Sequence, residues 1–313
     1  MRVSVVCIAI VAGTCVAVTC DAAHAQPERK ESIRTAPTAA LTEFWTEQRL
    51  QQAQPMPLPV VDPSALGSAR PAEPKSEALR SGAAKVLRGS DSGVSGDVSE
   101  QPLDRAGKLY FSKADGDYVC SAQFIAPGIL VTAAHCVRDS KTGQWATRVI
   151  YKSQYFRGKG KEYSTECLGS HKGWVSGDSS RWTWDYAMIK LRGGTDEGHL
   201  GWQIGWWGQH STATKIGYPS DIEDGKVIQV EVGRLFKTAD PKIIGLDHGN
   251  ALNKGGSSGG AWVGRYDPRG SPRSNYIITV NSFGYPDQPG ISFGPYWDSK
   301  MEDLLKYAQR GCR

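Results

Sequence analysis

The sequence predicts an all-β protein, a sandwich or a pair of barrels, with one helix at its C-terminal end. Glycine and proline supply 36 and 17 of the 313 residues, a turn-rich share that disfavours a helical bundle. Ten Trp and twelve Tyr against seven Phe favour strands and aromatic-lined surfaces. From Lys108 onward, short apolar runs alternate with Gly/Pro/Asp/Asn clusters at the spacing of antiparallel strands. Hydrophobic residues at 39% and charged residues at 22% exclude both a disordered chain and a multi-span membrane protein. The net charge of +5 comes without a Lys/Arg block, so nucleic acid is not an expected partner.

Taken in order, the chain opens on an export signal. Arg2 supplies a positive start, Val3 to Thr19 is apolar, and Ala23-His24-Ala25 closes the segment as a small-x-small cleavage site. The apolar run is shorter than the roughly 20 residues a membrane-spanning helix needs, so residues 1–25 read as a removed signal peptide and no stable membrane insertion is expected. Residues 26–100 carry eight of the seventeen prolines, including Pro55, Pro57 and Pro59, and a Ser/Gly/Asp-rich tract from Ser90 to Ser99. They read as a propeptide or disordered linker with one short helix over Leu41 to Gln52. Residues 1–100 hold 10 Lys/Arg and 11 Asp/Glu, which leaves a surplus of six positive charges on the rest. The globular part is expected from about Gln101, with Arg88 and Arg105 as cleavage points.

The strands are expected at Lys108–Ser112, Ser121–Ala126, Ile129–Ala133, Arg148–Lys152, Tyr186–Leu191, Lys226–Leu235, Gly260–Val263 and Tyr276–Asn281. The helix is expected over Ser299 to Gln309. Ser299 can cap it, Glu302 completes a capping box, and Met301, Leu304, Leu305 and Ala308 form one apolar stripe. Cys7, Cys15 and Cys20 leave with the signal. Cys120, Cys136, Cys167 and Cys312 remain, an even number in an oxidising compartment, with no C-x-x-C pair to hold zinc. Two disulfides are expected and no metal. His171, His199, His210 and His248 share no metal-binding spacing and read as surface or loop residues.

Two segments carry chemistry. Gly255-Gly256-Ser257-Ser258-Gly259-Gly260 places serine in a turn whose backbone can approach a ligand and aim N–H groups at a developing oxyanion. Leu130 to Cys136 ends an apolar strand on His135. Gly256-x-Ser258-x-Gly260 formally matches the nucleophile elbow of α/β-hydrolases, but that order places the histidine after the serine. The last histidine here is His248, so that fold is excluded. The order His, Asp, Ser needs an acid between 135 and 258. Asp185, at the mouth of the apolar run Tyr186 to Leu191, supplies it.

Thr132-Ala133-Ala134-His135-Cys136, Asp185 to Leu191 and Gly256 to Gly260 resemble the three signature segments of chymotrypsin/trypsin-like serine proteases, over roughly residues 103–307. Gly107 to Phe111, Ile216 to Pro219 and the long pro-region are similar to the bacterial glutamyl endopeptidase-like branch. The resemblance implies two antiparallel six-stranded Greek-key β-barrels, over 101–205 and 206–313, with the C-terminal helix on the second. It implies a serine endopeptidase in which His135 is general base, Asp185 its orienter and Ser258 the nucleophile. The Gly256 and Ser258 N–H groups would form the oxyanion hole. Ser282, Phe283 and Gly284 would pair with the substrate backbone. Cys120–Cys136 matches the disulfide that staples the histidine loop, which leaves Cys167–Cys312.

Three departures bear on specificity and activation. Ser257 stands where trypsin-like members carry the aspartate that receives a new N-terminal ammonium. Leu252, six residues before Ser258, replaces an acidic pocket base, and Asn281 stands where the glutamyl branch has a histidine. An uncharged pocket bounded by Leu252, Asn281 and Ser282–Gly284 is expected. The expected product is a secreted or periplasmic monomer acting on protein or peptide substrates without a cofactor. The rival reading is a catalytically silent protease-fold binding module.

Overall fold

A computed structural model describes residues 28–61, 94–195, 197–206, 208–249 and 255–313. The expected signal peptide, Arg88 and Leu252 lie outside the described residues. The N-terminal segment holds β1 (Lys30–Arg34), helices α1 (Thr38–Phe44) and α2 (Glu47–Gln52), and β2 (Gln54–Pro55). After β3 (Val94–Ser95) come β4 (Ala106–Lys113), β5 (Gly116–Ala126), β6 (Ile129–Thr132) and the short helix α3 (Ala134–Val137). Then follow β7 (Thr147–Phe156), β8 (Lys159–His171) and β9 (Ala187–Leu191). The C-terminal half contains β10 (Gly201–Trp202), β11 (Thr212–Gly217), β12 (Gln229–Lys237) and β13 (Ile243–Asp247). It closes with β14 (Ala261–Gly264), β15 (Tyr276–Val280), β16 (Ile291–Pro295) and α4 (Ser299–Gln309).

The strands form two sheets. In the first, β8-β7-β4-β5-β6-β9 run antiparallel, and a β8–β9 pairing closes them into a six-stranded barrel. The second follows β10-β15-β14-β11-β12-β13-β16, and β16 approaches the segment just after β15 through a bridge between Phe293 and Phe283. The changeover between sheets falls between Leu191 and Gly201. β3 pairs with β12, so packed chain begins at least as early as Val94, ahead of Gln101. Arg105 sits in a 3-10 turn beside buried Leu103, a poor place for a protease to cut.

All eight expected strands are present within a few residues of their predicted bounds. Eight further strands among the described residues, β1, β2, β3, β8, β10, β11, β13 and β16, carried no recognised signal. β8, KGKEYSTECLGSH, has no apolar run because its first residues are exposed and only its second half is continuously buried. α4 spans the expected residues and buries Met301, Leu304, Leu305 and Ala308. Its cap is Asp298, whose carboxylate accepts from the Lys300 N–H at 2.8 Å, not Ser299. Disulfides join Cys120 to Cys136 and Cys167 to Cys312. The second spans 145 residues and ties the end of α4 to β8. In the chain-entropy description, such a loop closure contributes about 5 kcal/mol.

The expectation of disorder fails for residues 28–61. β1 adds to the first barrel by pairing with β8, from Lys30 against His171 to Arg34 against Cys167. Instead of one helix over 41–52 there are two, because Thr46 caps α2 by accepting from the Arg49 N–H while Trp45 turns inward. The Trp45 indole N–H donates to Arg148 O at 2.6 Å. Leu41 is 1% exposed and Trp45 5%. A few well-placed apolar side chains suffice here, because the barrel wall already supplies the other half of the core. Likewise His171 is buried, its ring nitrogens against Glu28 O and Lys300 O at 3.2 and 3.1 Å, and is not a surface residue.

Leu41→Ala therefore destabilises the packed N-terminal segment by about 2–5 kcal/mol, as for a buried leucine truncated to alanine. Denaturant unfolding followed by amide hydrogen exchange over residues 38–52 reads this, whereas a disordered linker would leave the midpoint unchanged.

Candidate active site

Pairing of β6 with β9 sets Thr132 against Ala187, and so brings the residues just beyond these strand ends together. His135 lies in α3, three residues after Thr132. Asp185 follows a 3-10 turn, two residues before Ala187. Asp185 is fully buried and His135 is 4% exposed. The carboxylate of Asp185 takes the His135 backbone N–H at 2.8 Å and meets His135 Nδ1 at 2.8 Å with its other oxygen. A third donor, Ser282 Oγ, reaches the same Asp185 oxygen from beyond β15. The two bonds to His135 fix the ring's orientation and leave Nε2 facing outward from the pair.

Ser258 belongs to the loop that enters β14. Its carbonyl accepts the Ser121 N–H at 2.9 Å. Gly259 N–H donates to Asn281 O and Asn281 N–H to Gly260 O, both at 2.8 Å. Gly259, at φ +78, packs so tightly that a Cβ would collide with Thr132 and Ala133, the strand end leading to His135. The serine loop is thus pressed against the histidine segment on one side and against Asn281–Ser282 on the other. Ser258 Oγ and His135 Nε2 are both buried and neither makes a hydrogen bond.

Gly256 shows where its N–H points. Its φ is +92 and a Cβ would meet Tyr218 O at 2.5 Å, so only glycine adopts this turn without strain. Ser121 Oγ donates to Gly256 O at 2.8 Å and accepts the Tyr218 N–H at 2.9 Å. The Gly256 N–H faces the cleft and donates to Met56 O at 3.1 Å. Three positioning groups carried no recognisable sequence signal. Ser282 was expected only as substrate-pairing backbone, Ser121 was not singled out at all, and Lys113 Nζ donates to His135 O at 2.7 Å. Burial pushes the Lys113 pKa down, opposed by Asp139, Asp115 and Asp185. Each acts across a long sequence separation.

The cleft wall differs from its expected form. Asn281 is buried, and its amide donates to Ser257 Oγ at 3.1 Å, so it supports the serine loop. Phe283 pairs with Phe293 and stacks on it at 5.1 Å. Beside Phe293, the Ser292 hydroxyl meets Lys215 Nζ, and Lys215 is neutralised by Glu231 at 2.6 Å with both side chains almost fully buried. Pro55, Pro57, Leu58, Val60, Gly284, Tyr285 and Ile291 border a cavity of about 460 Å³. Among the described residues, Cys120, His135 and Cys136 bring potential metal-ligand atoms together, but both sulfurs are consumed in a disulfide and cannot act as thiolates.

Residues 94–296 match the family model named Trypsin. Among solved structures, the protease Anisep from Arthrobacter nicotinovorans superposes with a TM-score of 0.56 at 24% identity, over 67% of this chain and 97% of that one. The thermostable serine protease AL20 from an extremophilic microorganism gives 0.55 at 25% identity, over 66% and 97%. A Glu endopeptidase gives 0.55 at 18% identity, over 70% and 96%. An extracellular metalloprotease of Bacillus subtilis (strain 168) is 29% identical over 121 residues, and the match spans only 35% of that protein's length.

Lys215 Nζ and the Glu231 carboxylate meet at 2.6 Å with both side chains almost fully buried, so truncating one removes a short charge–charge contact from a poorly solvated site. Glu231→Ala accordingly lowers stability by about 3–5 kcal/mol, measured by chemical denaturation; an effect below 1 kcal/mol would show that the pair is hydrated.

Proposed function

The chain belongs to the trypsin family, and we propose that it is an exported serine endopeptidase in which His135, Asp185 and Ser258 act as base, orienter and nucleophile. One observation carries this reading. A buried carboxyl group spends its hydrogen bonds on orienting His135, while the remaining ring nitrogen and the buried Ser258 hydroxyl are left without partners. Buried polar atoms are rarely left unsatisfied except where a ligand or a reaction completes them. Catalytic hydrogen bonds commonly tighten only when substrate is bound.

In the proposed cycle, His135 Nε2 takes the Ser258 proton as Oγ attacks the scissile carbonyl. Asp185 holds the tautomer and stabilises the imidazolium. The Gly256 and Ser258 N–H groups receive the oxyanion, each worth on the order of 3 kcal/mol. Collapse expels the amine, protonated by His135, and water then hydrolyses the acyl-enzyme by the same route. Metal-dependent hydrolysis, the chemistry in the name of the Bacillus relative, lacks comparable support because the Cys120/His135/Cys136 group has no free thiolate. Export is supported by the disulfides and by the leader of residues 1–25. Among the described residues, no helix is long and apolar enough to cross a membrane.

Ser258→Ala lowers kcat by on the order of 10⁶ with the fold intact, the size seen when such a nucleophile is removed. Ser257→Ala loses the neutral hydrogen bond that Asn281 donates to its hydroxyl, worth about 1 kcal/mol, and keeps most activity. Were Ser257→Ala the dead variant, the loop register would be wrong. For specificity, the committed Asn281 amide and the neutralised Lys215 support an uncharged pocket. Apolar or small polar P1 residues therefore exceed Arg by at least about tenfold in kcat/KM, a gap of about 1.4 kcal/mol. A fluorogenic P1 series measures it, and an Arg preference would require an acidic group at the pocket base.

A further inference from the structure

Residues 54–61 cross the cleft from the first sheet to the second. At the first-sheet end, Gln54 and Pro55 run parallel to Tyr118 and Val119 of β5, and the Met56 N–H donates to Val119 O at 2.9 Å. In the middle, Met56 O holds the Gly256 N–H at 3.1 Å. At the far end, Gly284 N–H donates to Pro59 O and Val61 N–H to Gly284 O, both at 3.1 Å, with Val60 and Gly284 in parallel register. Outside the β2–β5 pairing, the N–H groups that the crossing donates are those of Met56 and Val61. Pro55, Pro57 and Pro59 occupy positions where no N–H is required, and their rings hold the chain extended. The pattern suits an extended peptide bound by backbone pairing.

The direction of the crossing is what matters chemically. In acyl transfer the base gives its proton to the nitrogen of the breaking bond, so the leaving-group side must face His135. His135 stands at the β5 end of the cleft, because its neighbour Cys136 is bonded to Cys120, the residue after Val119. Around the Met56 carbonyl, the acyl side (Gln54 and Pro55) lies at β5, and the leaving nitrogen, that of Pro57, leads away toward Gly284. The carbonyl occupies an oxyanion donor while its bond lies backwards with respect to the base.

We propose that residues 54–61 are a strap bound in the cleft against the productive direction, a tethered inhibitor of this chain's own active site that the site does not cleave. What the strap inhibits rests on the serine-endopeptidase reading; where it binds does not. The tether is short, since α2 ends at Gln52 and the buried Leu41 and Trp45 anchor the segment to the first barrel. A short tether gives an effective concentration on the order of millimolar, so a strap with an intrinsic Kd of about 0.1 mM suppresses the site roughly tenfold.

The uncleaved chain from Gln26 is compared with its Met56→Pro/Val61→Pro variant, which removes the Met56 and Val61 N–H groups and no catalytic group. The variant reacts with a fluorophosphonate probe about tenfold faster than the uncleaved parent; equal rates overturn the proposal. A synthetic peptide of residues 54–61 inhibits the opened variant and is recovered intact by mass spectrometry, and cleavage of that peptide would overturn the reversed polarity. Calorimetry on the opened variant carrying Ser258→Ala tests binding without turnover. Binding there, with neither chain labelled, would fault the serine reading and support the strap. No binding there overturns the strap.

Discussion

Asp185 is the constraint on which the site depends. A buried carboxyl group without partners costs several kcal/mol, and this one is fully enclosed. Its partners come from separate parts of the chain: the backbone and ring of His135 from the β6 end, and the Ser282 hydroxyl from beyond β15. The same side chain therefore joins the two sheets and orients the imidazole. Stability and the orientation of the His135 ring draw on one set of hydrogen bonds.

The serine loop is held by a different means, close backbone approach. Gly259 lies against Thr132 and Ala133, and Gly256 against Tyr218. Ser121 fixes the Gly256 peptide from behind, through its hydroxyl. Because Ser121 follows Cys120, the Cys120–Cys136 disulfide links the support of the serine loop to the histidine segment. Small residues and backbone bonds position the N–H donors more rigidly than long side chains could.

The N-terminal segment changes the view of the cleft. Its packing onto the barrel needs few apolar residues, with Leu41 and Trp45 filling a wall that is already built. Once anchored there, the chain has only a short distance to travel to reach β5 and Gly256. Its alternating prolines limit the entropy lost on binding, and leave free N–H groups where the cleft has acceptors.

Much of this was legible in the sequence. Alternating apolar runs and turn clusters mark the main strands, the stripe from Met301 to Ala308 marks the last helix, and His135 and Asp185, singled out by their motifs, are the two side chains that meet at 2.8 Å. These are local signals, set by side-chain period and by motifs a few residues long. Only the tertiary structure decided that β8 is a strand despite its polar first half, since pairing on both edges replaces the missing apolar run. It alone assigned Ser282 to Asp185, Asn281 to Ser257, and Met56 to Gly256. The physical reason is common to all of these. A hydrogen bond between residues 24, 97 or 200 positions apart leaves no periodic or compositional trace, and proline-rich composition looks the same whether the chain is free or laid across a cleft.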